Sequence, residues 1–157
     1  MHDIKTGWFS WDEIIPFKEQ LIDMELDLMI TYHYPNWDIP RSYPESSVER
    51  LKSHLESGNT YFWGAIRNGK LIGYYWGYAA MFIDRKRWNT RSIYFLPEAK
   101  GLGLGKMAIE AAHAKAVELG CIEAATEYAP FNASMANLME KNGYSITRIE
   151  VVKNLLQ

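Results

Sequence analysis

The sequence of 157 residues has few of the residues that build covalent or metal cross-links. Its one cysteine, Cys121, cannot form an internal disulfide and has no CxxC companion for a zinc site. We interpret Cys121 as a small buried hydrophobic residue rather than a reactive thiol. The four histidines are scattered without the spacing of metal ligands; they are His2, His33, His54 and His113. The sequence therefore predicts neither a disulfide framework nor a metal centre.

Long apolar runs and charge of one sign are also missing. No window approaches the roughly eighteen apolar residues of a membrane span, and the start MHDIKTGWFS lacks the pattern of a signal peptide. The cytoplasm is the default location. A formal net charge of −2 with mixed signs argues against a general nucleic-acid-binding protein, which usually has a basic face. We expect no membrane or nucleic-acid partner, and any anion must be bound locally.

The composition is that of a globular protein, with 48% hydrophobic and 23% charged residues. The length suits one domain with a single sizeable core. No internal repeat, low-complexity segment or domain boundary interrupts it. We therefore expect a single domain over residues 1–157.

Two capping-box patterns predict helix starts in the first third of the chain. SWDE at residues 10–13 and SSVE at 46–49 each place a serine three residues before a glutamate, so that both side chains can satisfy free amides. The first helix is expected to reach about Thr31 with a bend at Pro16, and the second to stop at Gly58. Between them, YHYPNWDIPRSYP at residues 32–44 is either a folded loop over a cleft or a loop that only covers core.

The remaining chain predicts a mixed sheet. Asn68-Gly69 is a strong hairpin signal between strands at residues 60–66 and 70–78. The later elements are expected as a strand at about 91–96, a helix to Leu119 stopped by Gly120, a strand at 121–128, a helix at 132–142 stopped by Gly143, and an extended run of alternating character at 144–155. This order predicts an α/β fold of the α+β type, with a mixed, mostly antiparallel sheet flanked by helices on both faces.

Three alternating glycines in KGLGLGK, residues 100–106, stand where a helix must begin. Each interior glycine costs a helix about 1 kcal/mol relative to alanine, so the pattern indicates that something approaches the backbone. A helix N-terminus offers unpaired amides and about half a positive charge, which suits phosphate groups. Lys100 and Lys106 add positive charge. The alternative is a helix start packed tightly on the sheet.

Spacing separates three phosphate-binding motifs at this loop. A P-loop fails twice, because Lys100 replaces its first glycine and Met107 replaces its magnesium-binding hydroxyl. Gly103, Gly105 and Ala108 satisfy the dinucleotide pattern GxGxxA, but no acidic residue follows at a strand end about twenty positions on. The third motif is the acyl-coenzyme A pyrophosphate loop, (Arg/Gln)-x-x-Gly-x-(Gly/Ala). Lys100, Gly103 and Gly105 fill its positions, with lysine in place of the usual arginine or glutamine.

IYFLPEAKGLGLGK at residues 93–106 resembles the signature of the GNAT superfamily of acyl-CoA-dependent N-acetyltransferases. NASMANLMEKNGY at 132–144 resembles the Asn-containing helix of that family, which ends in Gly-Phe or Gly-Tyr. The resemblance implies a GNAT-like sheet splayed between the strands that end near Leu96 and Tyr128, with acetyl-CoA between them. The pantetheine arm would pair like an extra strand with the backbone of residues 93–95.

The resemblance also implies a set of cofactor-binding residues. They are Ile93, Tyr94, Phe95, Lys100, Gly101, Leu102, Gly103, Leu104, Gly105, Lys106 and Asn132. For Asn132, service as the helix N-cap is an alternative reason for its presence.

Direct attack of an amine on the thioester requires a base to remove the amine proton. Glu127 lies five residues before Asn132, where a glutamate acts as base in the ribosomal-protein N-terminal acetyltransferases of this superfamily. The alternative is that Glu127 is a solvated carboxylate at the end of a strand, with no role in catalysis. Asp84 and His33 are poorer candidates, because both are expected on loops.

The sequence departs from the family where a tyrosine often protonates the leaving thiolate. Met139 stands there and has no proton to give, so Tyr128, Tyr94 or water would substitute, or the thiolate would leave unprotonated. This departure keeps a non-catalytic acyl-CoA-binding module open as an alternative to the enzyme. A nucleotide-binding protein is a third hypothesis.

Aromatic residues indicate where the acceptor amine would bind. Those of the loop and the hairpin could form a wall suited to the amine of a small molecule or peptide, by cation–π contact. We take Tyr34, Trp37, Trp76 and Tyr78 as substrate-binding candidates, alongside His33 and Tyr43 in the same loop. Strand aromatics are also common in cores, so this assignment has a structural alternative. The sequence does not decide between a monomer and a homodimer.

Overall fold

A computed structural model describes residues 3–156 and contains one five-stranded sheet. The strands are β1 (Ile4–Trp8), β2 (Thr60–Arg67), β3 (Lys70–Phe82), β4 (Arg85–Phe95) and β5 (Glu123–Ala125), and they lie side by side in chain order. The first four are antiparallel to their neighbours, whereas β5 runs parallel to β4. The mixed, mostly antiparallel sheet is therefore confirmed.

Within the described residues, five α-helices cover the two faces of this sheet. They are α1 (Trp11–Ile14), α2 (Lys18–Asp27), α3 (Ser42–Glu56), α4 (Leu104–Glu118) and α5 (Ala133–Lys141). A 3₁₀ turn at Ile15–Phe17 joins α1 to α2, and a π-helical turn at Leu28–His33 continues α2. The predicted first helix thus exists as one helical path that bends at Pro16 and ends two residues beyond Thr31.

Both faces of the sheet carry a buried core. One side buries Tyr75, Ala79 and Ile93 under residues of α4 such as Ile109 and Ala112. On the other side α1, α2 and α3 cover Phe62, Tyr74 and Trp76 with Ile14, Leu21 and Leu51. The expectation of helices on both faces is confirmed.

The capping boxes have opposite outcomes. At the first, Glu13 N donates to Ser10 Oγ at 3.4 Å and Ser10 N donates to Glu13 Oε2 at 3.0 Å, so the box is present. The second is wrong, because α3 begins at Ser42, and Ser46 Oγ instead accepts from Arg50 Nη1 at 2.9 Å. A proline in a first helical turn lacks an N–H that would need an acceptor there, so Pro44 lets the helix begin before it.

The hairpin between β2 and β3 is confirmed, with φ of 52° at Asn68 and 73° at Gly69, as a type I′ turn requires. Glycines also end helices as expected, since φ is 80° at Gly58, 78° at Gly120 and 85° at Gly143. β4 begins earlier than predicted, because a second tight turn at Ile83 joins it to β3.

Three strand predictions need correction. The sequence pattern missed β1, which pairs with β2 from Ile4↔Arg67 to Trp8↔Trp63. Only residues 123–125 of the expected strand at 121–128 pair with a neighbour, because the chain diverges from β4 after Ala125. The expected final strand at 144–155 is absent from the described chain, where residues 144–154 have no regular secondary structure.

Candidate acyl-transfer site

The sheet opens between β4 and β5. The two strands pair only where Arg87–Asn89 lies beside Glu123–Ala125. Beyond Asn89, β4 still pairs with β3 on one side. Its other edge, from Thr90 to Phe95, has no neighbouring strand among residues 3–156. Backbone N–H and C=O groups on such an edge can pair with an extended, amide-rich ligand. The splay expected from the sequence is confirmed.

A β-bulge lies beside this opening. Trp76 of β3 pairs with Ser92, but the next residue, Gly77, pairs with Thr90, so Arg91 is an extra residue in β4. Bulges bend a strand and re-aim its backbone and side chains. The break in the β3–β4 ladder therefore lies next to the point at which β4 stops pairing with β5.

The glycine loop faces open space at the N-terminus of α4. Gly101 has φ of 78° and Gly103 has φ of 74°, which side chains other than glycine rarely adopt. A Cβ added at either residue would meet no atom within 4 Å. The backbone amides of residues 101–106 make no hydrogen bond to any residue between 3 and 156. The loop can therefore receive an anion at its free donors.

Gly105 serves a different purpose from the other two. A Cβ there would lie 3.4 Å from Leu138 of α5 and 3.8 Å from the Phe95 ring. The tight-packing alternative thus applies to Gly105, while the open space lies at Gly101 and Gly103. Lys100 and Lys106, which flank the glycines, are both exposed. Lys106 Nζ lies 3.6 Å from Glu110 on the same helix.

The residues at the end of β4 point to opposite faces. Ile93 is buried on the α4 side, and Phe95 lies so close to Gly73 that a Cβ on that glycine would approach its ring to 2.1 Å. Tyr94 points to the other face and donates a hydrogen bond to Asp27. Burial and the Asp27 carboxylate raise the pKa of Tyr94, so this phenol is a poor proton donor to a departing thiolate.

A buried carboxylate network lies under the bulge and was not predicted from the sequence. Glu25 of α2 is only 3% exposed. Its carboxylate accepts from Arg91 Nη1 at 2.8 Å, from Ser92 Oγ at 2.6 Å and from Tyr74 Oη. The Arg91 guanidinium also lies 3.8 Å from the centre of the Trp76 ring. The bulged residue is thereby tied to α2 by charge-assisted hydrogen bonds.

The aromatic candidates separate into two groups. Tyr34 and Trp37 lie 4.9 Å apart, ring centre to ring centre, and are 41% and 66% exposed. Trp76 is instead buried in the core beneath Arg91, and Tyr78 is 38% exposed on β3. Only the loop pair therefore offers an open aromatic surface together.

His33 and Tyr43 flank that pair. His33 ends the π-helical turn with its ring edge-on to Tyr34, and burial lowers its pKa against the opposing effect of Glu25. Tyr43 lies exposed on α3, 57% accessible, outside the loop in which it was expected.

The proton-transfer candidates lie on the segment after β5 and on α5. Glu127 is exposed and makes no hydrogen bond or ion pair within residues 3–156, whereas Tyr128 is half-buried against the α4-side core. Met139 is 1% exposed within that core. Asn132 Oδ1 accepts from Met135 N at 3.1 Å, so its N-cap role is confirmed.

Other features of the described residues lie apart from this opening. Cys121 is half-buried, and burial raises the pKa of its thiol. A groove of about 300 Å³ lies near β1 and β2, at the opposite edge of the sheet. Between residues 3 and 156, none of the helices combines the length with the apolar character of a transmembrane span, and no group of three metal-ligating side chains is present.

Comparison with known protein families identifies one family for this chain. The model of the acetyltransferase (GNAT) family matches residues 26–144. An uncharacterized N-acetyltransferase of Bacillus subtilis (strain 168), YdgE, is 30% identical over 101 residues, which is 64% of this chain and 64% of that protein. The chain thus matches slightly less than two thirds of the length of this curated relative.

Two solved structures have the same fold. One is a predicted acetyltransferase from Clostridium acetobutylicum with acetyl-CoA, at a TM-score of 0.77 and 12% identity, covering 98% of this chain and 97% of that chain. The other is an aminoglycoside acetyltransferase from an uncultured soil metagenomic sample in complex with sisomicin, at a TM-score of 0.71 and 17% identity, covering 97% of this chain and 96% of that chain. The family match spans the opened sheet and the glycine loop, and the chain belongs to the acetyltransferase (GNAT) family.

Proposed function

We propose that this protein transfers an acetyl group from acetyl-CoA to a primary amine of a small molecule or peptide. The observation that carries the proposal is the set of free amides at residues 101–106, placed where the sheet opens beside β4. Membership in an acetyltransferase family supports the choice of cofactor, and the structural neighbour solved with acetyl-CoA has the same fold. The single domain, expected over residues 1–157, and the cytoplasmic location remain part of the proposal.

The pyrophosphate of acetyl-CoA would lie on the amides of residues 101–106, with Lys100 and Lys106 nearby as exposed positive charges. The amides of the pantetheine arm would pair with the free edge of β4 at Ile93–Phe95. The thioester would then lie near the bulge at Arg91. A role for Asn132 in cofactor contact would come in addition to its capping bond.

In the proposed reaction the neutral amine attacks the thioester carbonyl, a C–N bond forms, and the C–S bond breaks. The amine proton passes to a base and coenzyme A leaves as its thiolate. Glu127 is our candidate for the base, supported by its exposed carboxylate on the strand-end segment beside the opening. Met139 is buried and cannot protonate the thiolate, so Tyr128 or water takes that role.

The acceptor would approach from the side of Tyr34 and Trp37, the exposed aromatic pair. Such rings attract cationic ammonium groups before the proton is removed. The neighbour solved with sisomicin supports a small-molecule amine as the acceptor class. Trp76 and Tyr78 are assigned less direct roles, because Arg91 covers the first and the second lies on β3 and is not part of the Tyr34–Trp37 pair.

The test compares two glycines of the same backbone conformation. Gly103→Ala and Gly120→Ala both place a Cβ at φ near +75°, into space free of protein atoms, so both should destabilise the fold by about 1–2 kcal/mol. Only the Cβ at residue 103 would project into the proposed pyrophosphate site. Titration calorimetry should therefore show at least about tenfold weaker acetyl-CoA binding for Gly103→Ala, with Gly120→Ala unchanged.

Release of free thiol in the presence of an amine panel then separates enzyme from binding module. Steady release supports acetyl transfer, whereas saturable binding without release on any amine would favour the non-catalytic alternative, which the buried Met139 motivates. Stabilisation by NAD or ATP rather than acetyl-CoA would contradict both.

A further inference from the structure

The exposed pair Tyr34 and Trp37 attracts an acceptor in a form that cannot react. At neutral pH a simple alkylamine is almost entirely an ammonium ion, which binds to aromatic rings but has no free electron pair for the thioester. One proton must leave before the attack, and a second must leave once the C–N bond has formed. Glu127 is our candidate for only one of these protons. An ammonium group bound at the aromatic pair therefore needs a proton acceptor of its own.

His33 is the basic side chain beside that pair. The centre of its ring lies 6.0 Å from the centre of the Tyr34 ring, with the two planes at 64°, and Tyr34 in turn lies 4.9 Å from Trp37. The three rings thus follow one another along the surface. A cation bound on the faces of Tyr34 and Trp37 would lie close to the imidazole.

The backbone on both sides of His33 is fixed. His33 is the last residue of the π-helical turn Leu28–His33, and Tyr34 N donates a hydrogen bond to Met29 O at 2.7 Å. Turns of this kind inside a helical path recur at functional sites. The expectation that His33 lies on a loop is therefore wrong, and with it the reason for ranking His33 low as a base.

The nitrogens of the His33 ring are available for a proton. Among the histidines within residues 3–156, the ring of His113 forms a hydrogen bond to another side chain, whereas the ring of His33 forms neither a hydrogen bond nor an ion pair there. Asp27, six positions earlier on the same helical path, is already engaged. Its carboxylate accepts from Thr31 Oγ1 at 2.8 Å and from Tyr94 Oη. His33 is thus the better placed of the two to take a new proton.

The charges around His33 suit a group that gains and loses a proton near neutral pH. Burial lowers the pKa of His33, so the ring is mostly neutral at pH 7 and can act as a base. The carboxylate of Glu25 on α2 has the opposite effect on this pKa and favours the imidazolium that forms. Arg91 of β4 offsets part of that effect, because its Nη1 lies 2.8 Å from Glu25 Oε2.

We propose that His33 takes the first proton from the ammonium group of the acceptor while that group lies on Tyr34 and Trp37. This inference rests on the proposed acetyl transfer. An N–H bond of the ammonium breaks, its electron pair stays on nitrogen, and the proton passes from the imidazolium to solvent. Cation–π attraction ends with the loss of charge, so the neutral amine is released toward the thioester. The proton that leaves after the attack remains the one assigned to Glu127.

The pH profile of turnover tests this role. Thiol release is measured from pH 5.5 to 10 at saturating acetyl-CoA with ethylamine, benzylamine and tyramine. For the unmodified protein, kcat/KM for the amine should level off above about pH 7, although the amine in solution is still cationic. His33→Gln should lose about a hundredfold at pH 7 and then gain about tenfold per pH unit, until the two proteins converge where the amine is neutral. The loss should lie in kcat, with KM for the amine little changed.

Two further variants separate proton transfer from a structural effect. His54→Gln is the matched control, because His54 is exposed on α3 and its replacement should leave the profile unchanged. Added imidazole should restore part of the rate of His33→Ala and should not accelerate the unmodified protein. Titration calorimetry should give the same acetyl-CoA affinity for all of these proteins.

The outcomes distinguish this inference from the proposed function. A His33→Gln profile that coincides with that of the unmodified protein, or that is lowered equally at every pH, would overturn the role of His33 and leave acetyl transfer in place. Failure of imidazole to restore any rate to His33→Ala would overturn it as well. Absence of thiol release from the unmodified protein with every amine would overturn the proposed function, and this inference with it.

Discussion

At the scale of single residues, Glu25 is the polar group on which the interior depends most. Its carboxylate is buried and accepts hydrogen bonds from Tyr74, Ser92 and Arg91. Glu25→Ala would leave two hydroxyls and a guanidinium without their acceptor. We expect the free energy of unfolding in urea to fall by about 3–5 kcal/mol, the usual cost of removing one partner of a buried ion pair.

Glu49→Ala is the matched control for that measurement. Glu49 is exposed on α3, 3.8 Å from Lys18 Nζ, and it caps no helix because α3 begins seven residues earlier at Ser42. An exposed pair of this kind contributes about 1 kcal/mol at most. A loss for Glu25→Ala no larger than that for Glu49→Ala would show that the network does not stabilise the fold.

Glu127 is the residue whose proposed role concerns chemistry rather than stability. Glu127→Gln removes the base but keeps the shape of an exposed side chain. The acetylation rate should fall about a hundredfold or more, most strongly at low pH where the amine is protonated, while acetyl-CoA affinity stays unchanged. Rates measured from pH 6 to 9 decide this, with Glu140→Gln on the exposed side of α5 as control. Parallel profiles for both variants and the unmodified protein would exclude Glu127 from the mechanism.

Residue spacing predicted the glycine loop but not the network around Glu25. The loop is encoded within seven consecutive residues, and two of its glycines, Gly101 and Gly103, have a positive φ that other residues rarely adopt. Arg91 and Glu25 are 66 positions apart, and they meet only because a bulge in β4 turns Arg91 toward α2. That bulge is a property of how two strands align, which no local pattern specifies.

At the scale of elements, the start of α5 shows how capping and ligand binding can be separated. Asn132 Oδ1 accepts from Met135 N at 3.1 Å. Asn132→Ala should cost about 1 kcal/mol of unfolding free energy, whereas Asn132→Asp retains a capping oxygen and should cost less. Urea denaturation of both variants measures this. Equal losses would contradict a capping role, and weaker acetyl-CoA binding by the stable Asn132→Asp variant would assign Asn132 a contact to the cofactor.

Elements with strong local signals were predicted well, and the others required tertiary context. The Asn68-Gly69 turn and the glycines after α3, α4 and α5 act through their own backbone angles. By contrast, β1 is a five-residue strand that exists through its pairing with β2. α3 begins before its apparent capping box because Pro44 is tolerated in a first turn. The apolar alternation after Gly143 is a strand pattern, yet residues 144–154 form no regular secondary structure in the described chain.

At the scale of the whole molecule, two half-buried histidines, His33 and His113, make stability depend on pH. His113 of α4 and Tyr144 lie 2.8 Å apart, ring nitrogen to hydroxyl, and join the C-terminal end of the fold to the α4 side of the sheet. Burial lowers the pKa of His113 and raises the pKa of Tyr144 to about 12, so both groups are neutral in the folded protein at pH 7. Burial lowers the pKa of His33 as well.

The sign of the effect follows from proton linkage. As pH falls below the ordinary histidine value, the unfolded chain binds protons that the folded chain does not, so the free energy of unfolding decreases. His113→Gln should flatten this decrease between pH 7 and 5 without abolishing it, because His33 still contributes. Urea denaturation at several pH values measures the slope. His54→Gln is the control, since His54 is exposed on α3 and its removal should leave the slope unchanged. A slope equally steep in His113→Gln would mean that protonation of the His113 ring does not limit acid stability.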